Sequence, residues 1–137
     1  MLLEDLGDEF ENIDLPVFIG GPVEHNTLHF IHTLGDKIEN SVKINDNYFW
    51  SGNFQQVLKL LKLNIIKESQ IRFFLGYSGW SKGQLKKEYE ADTWMQIEDY
   101  NDDLFELDAN SLWRQVLRRR GGKFQEISNY PTDPRLN

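Results

Sequence analysis

The stretch Gln70 to Glu90, QIRFFLGYSGWSKGQLKKEYE, constrains the fold of this chain more than any other segment. Gln70 to Tyr77 is a nearly continuous apolar run, the pattern of a strand covered on both faces rather than one alternating between core and water. Gly76 and Gly79 then punctuate a turn, and a helix is predicted from Lys82 to about Glu90. Ser81 and Gln84 have the spacing of a capping box, in which the hydroxyl accepts from the backbone at the third helical position while Gln84 reaches back to the cap. A covered strand followed by a capped helix demands at least two layers, a sheet and helices, around one core.

The remaining segments extend this pattern. Leu2, Leu3, Leu6 and Phe10 recur at near-helical intervals among acids, which predicts a short amphipathic helix over residues 2–11. Leu15 to Ile19 is a strand stopped by Gly20-Gly21-Pro22, and Thr27 to Thr33 is a second strand. Val42 to Ile44 and Tyr48 to Trp50 flank Asn45-Asp46-Asn47, the signature of a hairpin. Phe54, Val57, Leu58 and Leu61 form the stripe of a helix that packs on a sheet, with Asn64 as its stop. Thr93 to Glu98 and Leu104 to Leu107 read as two further strands joined by a polar turn at Asp99 to Asp103. Leu112, Trp113, Val116 and Leu117 predict a helix that begins near Asp108 or Asn110 and ends before Gly121-Gly122. Residues 128–137, which contain NYPTDP, read as an irregular tail. Strands mixed with helices, without repeat or linker, point to one α/β or α+β domain over residues 1–137.

Composition narrows the function classes. Four Trp, nine Phe and five Tyr in 137 residues exclude disorder as the main state. The absence of cysteine excludes disulfides, thiol nucleophiles and thiolate metal sites. Of the net charge of −7, six acids (Glu4, Asp5, Asp8, Glu9, Glu11, Asp14) fall in the first fourteen residues, leaving 16 acids against 15 bases beyond them. The acidic total opposes a generic nucleic-acid footprint, while the near-neutral remainder leaves room for a local basic patch. No run approaches a membrane span and no signal peptide opens the chain, so a cytoplasmic protein without membrane contact is expected.

Several residue groups invite a chemical reading. His25, His29 and His32 would cluster on a helix, but TLHFIHT has strand composition, which places His29 and His32 on opposite sheet faces. Surface or satisfied core imidazoles are therefore expected, with no metal site and no cofactor. Gly76-Tyr77-Ser78-Gly79-Trp80 lacks the second glycine of a nucleophile elbow, and every histidine lies upstream of Ser78. No GK[ST] follows, so it is no phosphate loop either. What remains is a strand, a glycine turn and a helix start. That arrangement could hold a small polar ligand, but tight strand-to-helix packing explains the same residues without one. Arg114, Arg118, Arg119, Arg120 and Lys123 form the strongest basic cluster. They could meet phosphates, or simply complement the dipole at a helix C-terminus. The acids lack spacing that would force a pair into one pocket, and no catalytic constellation is found.

Taken together, FIGGPV (Phe18 to Val23), LHFIHT (Leu28 to Thr33), FLGYSGWSKGQLKKEY (Phe74 to Tyr89) and Trp94 resemble the bacterial YqgE/AlgH family. The matching positions are Gly20, Gly21, Pro22, Val23, His32, Gly76, Tyr77, Gly79, Trp80, Gly83, Gln84, Leu85, Glu88 and Trp94. Ser78 replaces the usual Ala, and Lys86 the usual Glu. The resemblance implies an α/β fold with a strongly bent, bifurcated sheet forming a pseudo-barrel flanked by helices. It also implies a chain lacking the family's N-terminal β-rich segment, and hence self-association through exposed sheet edges. A transcription-regulator label comes with the family, without a DNA-binding module or agreed catalytic residues.

The combined expectation is a non-enzymatic module that binds a protein or small ligand. Its expected surface is formed by Gly20, Gly21, Pro22, Gly76, Tyr77, Gly79, Trp80, Gly83 and Gln84. The alternative is direct nucleic-acid binding through Arg114, Arg118, Arg119, Arg120 and Lys123.

Overall fold

The computed structural model describes residues 1–97, 104–105 and 108–131. They fall into two compact units, Met1–Tyr100 and Asn101–Asn137. The architecture is mixed α/β.

The first unit is built on a five-stranded sheet of β1 (Val17–Ile19), β2 (Val23–His32), β3 (Val42–Lys43), β4 (Phe49–Trp50) and β5 (Ile71–Tyr77), in the order β1-β5-β2-β4-β3. β1 runs parallel to β5, and the other neighbours are antiparallel. The apolar run at Ile71 to Tyr77 thus lies between two partners, as its composition requires. The hairpin of β3 and β4 turns on Asn45, whose side-chain oxygen accepts from the backbone N–H groups of Asn47 and Tyr48, both at 2.9 Å.

One sheet face carries the core. Phe30, Ile71 and Phe73 point to it together with Val17. Helix α1 (Phe54–Lys62) lays Val57, Leu58 and Leu61 on the same cluster. The helix starts where the Asn53 side chain accepts from Gln56 N–H at 3.1 Å, and it stops at Asn64, whose φ of 54° leaves the helical region. Leu3, Phe10 and Ile13 close the cluster from the N-terminal side. Each such fully buried side chain contributes roughly 1.5–3 kcal/mol before chain entropy is counted.

Several elements differ from expectation. Residues 2–11 form two short 3₁₀ turns, Leu3–Leu6 and Asp8–Phe10, because Gly7 interrupts the helical pattern. The five acids there are exposed, as a solvated face requires, and so is Asp14 beyond them. The second strand begins at Val23 rather than Thr27 and absorbs an irregularity between Val23 and Leu28. Helix α2 spans Gln84–Glu90, with Gly83 as its cap in the left-handed region. Half of the expected capping box is present: the Gln84 side-chain Oε1 reaches back and accepts from Ser81 N–H at 3.0 Å, but the Ser81 hydroxyl donates to that same oxygen at 3.2 Å instead of capping the helix.

Thr93 to Ile97 form no strand. Asp92 reverses the chain at a φ of 59°, and Thr93 N–H bonds back to Glu88 at 3.0 Å, which ties the segment to α2 instead of to the sheet. Leu104 and Phe105 lie in a turn rather than a strand, while residues 98–103 and 106–107 lie outside the described residues.

In the second unit, α3 (Ala109–Arg120) begins where the Asp108 carboxylate accepts from Asn110 N–H and ends at Gly121, whose φ is 71°. A further helix that the sequence reading lacked, α4 (Lys123–Ile127), follows at once and packs on α3. Residues 128–131 are without regular structure, and 132–137 lie outside the described residues. Among the described residues no helix is long and apolar enough to cross a membrane.

Candidate functional site

The two glycine turns expected to form a surface do meet. β1 runs on into Gly20, whose N–H donates to the Leu75 carbonyl at 2.8 Å. A Cβ on Gly20 would overlap the Gly76 carbonyl oxygen, and one on Gly21 would overlap the backbone of Tyr77 and Ser78. Gly76 takes a φ of +69°, and a Cβ there would lie 2.7 Å from the Gly21 carbonyl oxygen and 2.8 Å from that of Val23. Glycine is needed here because main chain packs directly on main chain. This is strand-end packing, not the strand-to-helix packing that the spacing alone suggested.

Beside this junction opens a hollow of about 590 Å³. β2 supplies His29 and Ile31, β4 supplies Trp50, and β5 supplies Phe74, Gly76 and Tyr77. Ile19, Gly20 and Ser78 complete the lining. Register places it on the sheet face away from the core: the pairs His29–Phe74 and Ile31–Trp50 alternate with the core-facing pairs Phe30–Phe73 and His32–Ile71.

The walls are aromatic and ordered. The His29 ring stacks on Trp50 at 6.3 Å and meets Tyr77 edge-on at 5.7 Å. Its Nε2 lies 3.0 Å from the Thr27 hydroxyl, which itself donates to the Glu24 carbonyl at 2.8 Å. With that hydroxyl hydrogen engaged, the Thr27 oxygen is left to accept from Nε2. Ile19 at 72% exposure and Trp50 at 44% leave the hollow open to an incoming group.

A second cluster gathers Trp80, Gln84, Glu88 and Trp94. One oxygen of the Glu88 carboxylate accepts from both indoles, Trp80 Nε1 at 3.0 Å and Trp94 Nε1 at 2.8 Å. The other oxygen accepts from the Gln84 amide at 2.9 Å. The Trp94, Gln84 and Trp80 donors, in that order of weight, hold the Glu88 carboxyl below the ordinary glutamate range. The two indoles meet edge-to-face at 5.7 Å.

The nine expected surface residues therefore divide. Gly20, Gly76 and Tyr77 line the hollow, and Gly21 packs behind it. Trp80 and Gln84 belong to the Glu88 cluster. Pro22 is exposed at the turn, and a Cβ on Gly79 would lie 3.4 Å from the Tyr77 ring, an ordinary contact. Gly83 has open space where a Cβ would stand, so only its left-handed φ of +82° calls for glycine.

Arg114, Arg118, Arg119 and Arg120 sit on α3, the last three in its final turn, where cations suit the helix dipole. Arg120 and Lys123 both lie over the Phe124 ring, at 4.4 Å and 5.2 Å.

His32 is buried and satisfied. Its Nε2 donates toward the Ser51 carbonyl at 2.9 Å and the Ser41 hydroxyl at 3.0 Å, while Nδ1 accepts from Leu34 N–H at 3.2 Å. Burial lowers its pKa, and the bond to Ser51 only partly offsets that. Among the described residues, no three His, Asp or Glu side chains gather as a metal cage.

The sequence reading missed His29, Ile31, Trp50 and Phe74 as lining residues. Period-two alternation in β2 and β5 does separate them from the core-facing set, but their convergence depends on strand order, which is not local.

Comparison with known proteins places these features in a wider group. The sequence pattern of a family described as AlgH-like matches residues 1–125. A UPF0301 protein of Chlorobium phaeobacteroides is 42% identical over 128 residues, covering 93% of this chain and 68% of the relative. One from Cytophaga hutchinsonii is 39% identical over 122 residues, covering 88% and 67%. Among solved structures, the AlgH protein from Pseudomonas aeruginosa superposes with a TM-score of 0.64 at 21% identity, covering 93% of this chain and 65% of that one. A protein from Corynebacterium diphtheriae has the same TM-score at 19% identity, covering 83% and 60%. At those identities the likeness concerns the fold. The chain spans slightly less than two thirds of these two structures.

Proposed function

This chain belongs to the AlgH-like family, and from that premise we propose that it works as a non-catalytic binding module whose outer-face hollow receives an aromatic or branched apolar group from a protein or small-molecule partner. The observation that carries this reading is the hollow itself, in which Trp50, Phe74, Tyr77 and Ile31 surround one oriented imidazole beside the two glycine turns. Apolar walls with a few fixed polar groups are the usual makeup of a recognition pocket.

The chemistry of the lining supports binding rather than turnover. Ser78 and His29 both border the hollow, yet His29 Nε2 is engaged with Thr27, and among the described residues no carboxylate is bonded to the ring. A serine activated for attack needs such an oriented base. On this reading, any part the protein plays in gene regulation runs through the bound partner rather than through α3 on nucleic acid.

The test is a titration with indole, a flat aromatic probe, followed by amide and side-chain NMR. Saturable shifts centred on His29, Trp50 and Tyr77, lost in Trp50→Ala while that variant keeps a cooperative melt, are the expected result. Shifts scattered over the surface, or none up to about 10 mM probe, overturn the proposal.

A further inference from the structure

The Trp80–Trp94–Glu88 cluster has a feature that packing alone does not require. Its carboxylate is held by three neutral donors: two indole N–H groups and one amide. All three stabilise the anion, yet none cancels its charge. The two ion pairs recorded among the described residues are Lys43–Asp46 and Lys86–Glu90, and neither includes Glu88. Because both indoles bond Glu88 through Nε1, the carboxylate lies at their edges rather than over their faces. Trp80 is 39% exposed and Trp94 47%, with ring planes 76° apart. Among the described residues no cation lies over either ring, whereas Arg72, Arg120 and Lys123 lie over phenylalanines elsewhere.

We propose that this corner is a recognition site for a basic side chain, the ammonium of a lysine or the guanidinium of an arginine on a partner protein. Two indole faces at a steep angle supply cation–π attraction, and the fixed carboxylate supplies the opposite charge. The site is pre-organised: Gln84, anchored in turn by Ser81, holds Glu88 in place before any ligand arrives. The tie between α2 and residues 93–97 that Glu88 provides is thus also a receptor for positive charge. The site is separate from the hollow and does not depend on what the hollow binds.

The test uses the full chain with three capped amino-acid amides as probes: Nα-acetyl-lysinamide, Nα-acetyl-argininamide and the neutral Nα-acetyl-norleucinamide. The indole N–H resonances of Trp80 and Trp94 are followed by NMR. Either cationic probe should shift both resonances saturably with a Kd of about 1–20 mM, and norleucine should bind at least about fivefold more weakly. Glu88→Gln keeps an acceptor for the indoles but removes the charge, and should weaken the cationic probes by about five- to tenfold. Equal binding of the neutral probe, or no saturation up to about 50 mM of either cation in the unaltered protein, overturns the proposal. So does unchanged affinity in a Glu88→Gln variant whose indole resonances remain dispersed.

Discussion

Replacing His32 tests the reading of that residue as a buried, neutral staple. The ring is fully buried and stacks on Phe49 at 5.8 Å, with planes 17° apart. It joins the end of β2 to the backbone after β4 through Ser51, and to the loop at Leu34 and Ser41. In His32→Ala, the Leu34 N–H and the Ser51 carbonyl each lose a partner, costing about 1–1.5 kcal/mol apiece. The lost ring packing adds about 1–2 kcal/mol. A total of about 3–5 kcal/mol corresponds to a fall in Tm of about 10–20 °C for a chain of this size.

The pH dependence has a definite sign. The folded-state pKa of His32 lies below its ordinary value, so the unfolded chain binds a proton that the native ring refuses. Stability is therefore full above the unfolded pKa of about 6.5 and falls with acidification until the folded pKa is reached, at up to about 1.4 kcal/mol per pH unit. Urea melts at a series of pH values, compared with those of His32→Gln, isolate this slope. The glutamine amide can still donate toward Ser51 but does not titrate. A loss below about 1 kcal/mol in His32→Ala, or an unchanged slope below about pH 6.5 in His32→Gln, would refute the assignment.

Three further outcomes are expected. Gly21→Ala should abolish the cooperative melt or lower stability by more than about 3 kcal/mol, because its Cβ overlaps the backbone of Tyr77 and Ser78. Gly83→Ala, strained in φ but unobstructed, should cost only about 1–2 kcal/mol by the same melt. Glu88 should titrate below an ordinary glutamate when the Trp80 and Trp94 indole signals are followed into acid. Its contribution to stability is present above the unfolded pKa and lost as pH falls through the folded one, and Glu88→Gln should remove that part of the acid limb.

Local signals proved dependable where burial and periodicity agreed. The stripe Phe54, Val57, Leu58, Leu61 identified α1, and Asp108 with Gly121 bracketed α3, because caps and helical faces are written within a few residues. The apolar run ending at Tyr77 identified β5. The failures share a different cause. Gly7 splits a pattern that looked helical, and Trp94 is drawn to Glu88 rather than into a strand, which no windowed pattern reveals. The candidate surface was half legible. Gly20, Gly21 and Gly76 stood out as glycines. That Trp50 and His29 would converge beside them rests on the pairing of β2 with both β4 and β5.

The parallel pairing of β1 with β5 sets Val17 against Phe73, so the chain between them must be gathered before those strands can join. A closure of that length is slow compared with the local hairpin of β3 and β4, and its entropy is recovered only when the distant contacts form. The glycine junction and the hollow exist only once that closure is complete, which makes the pocket a reporter of the finished sheet. A molecule that occupies it selects chains whose N-terminal strand has docked and slows their reopening. Its stabilisation therefore extends to the whole first unit rather than to one corner of its surface.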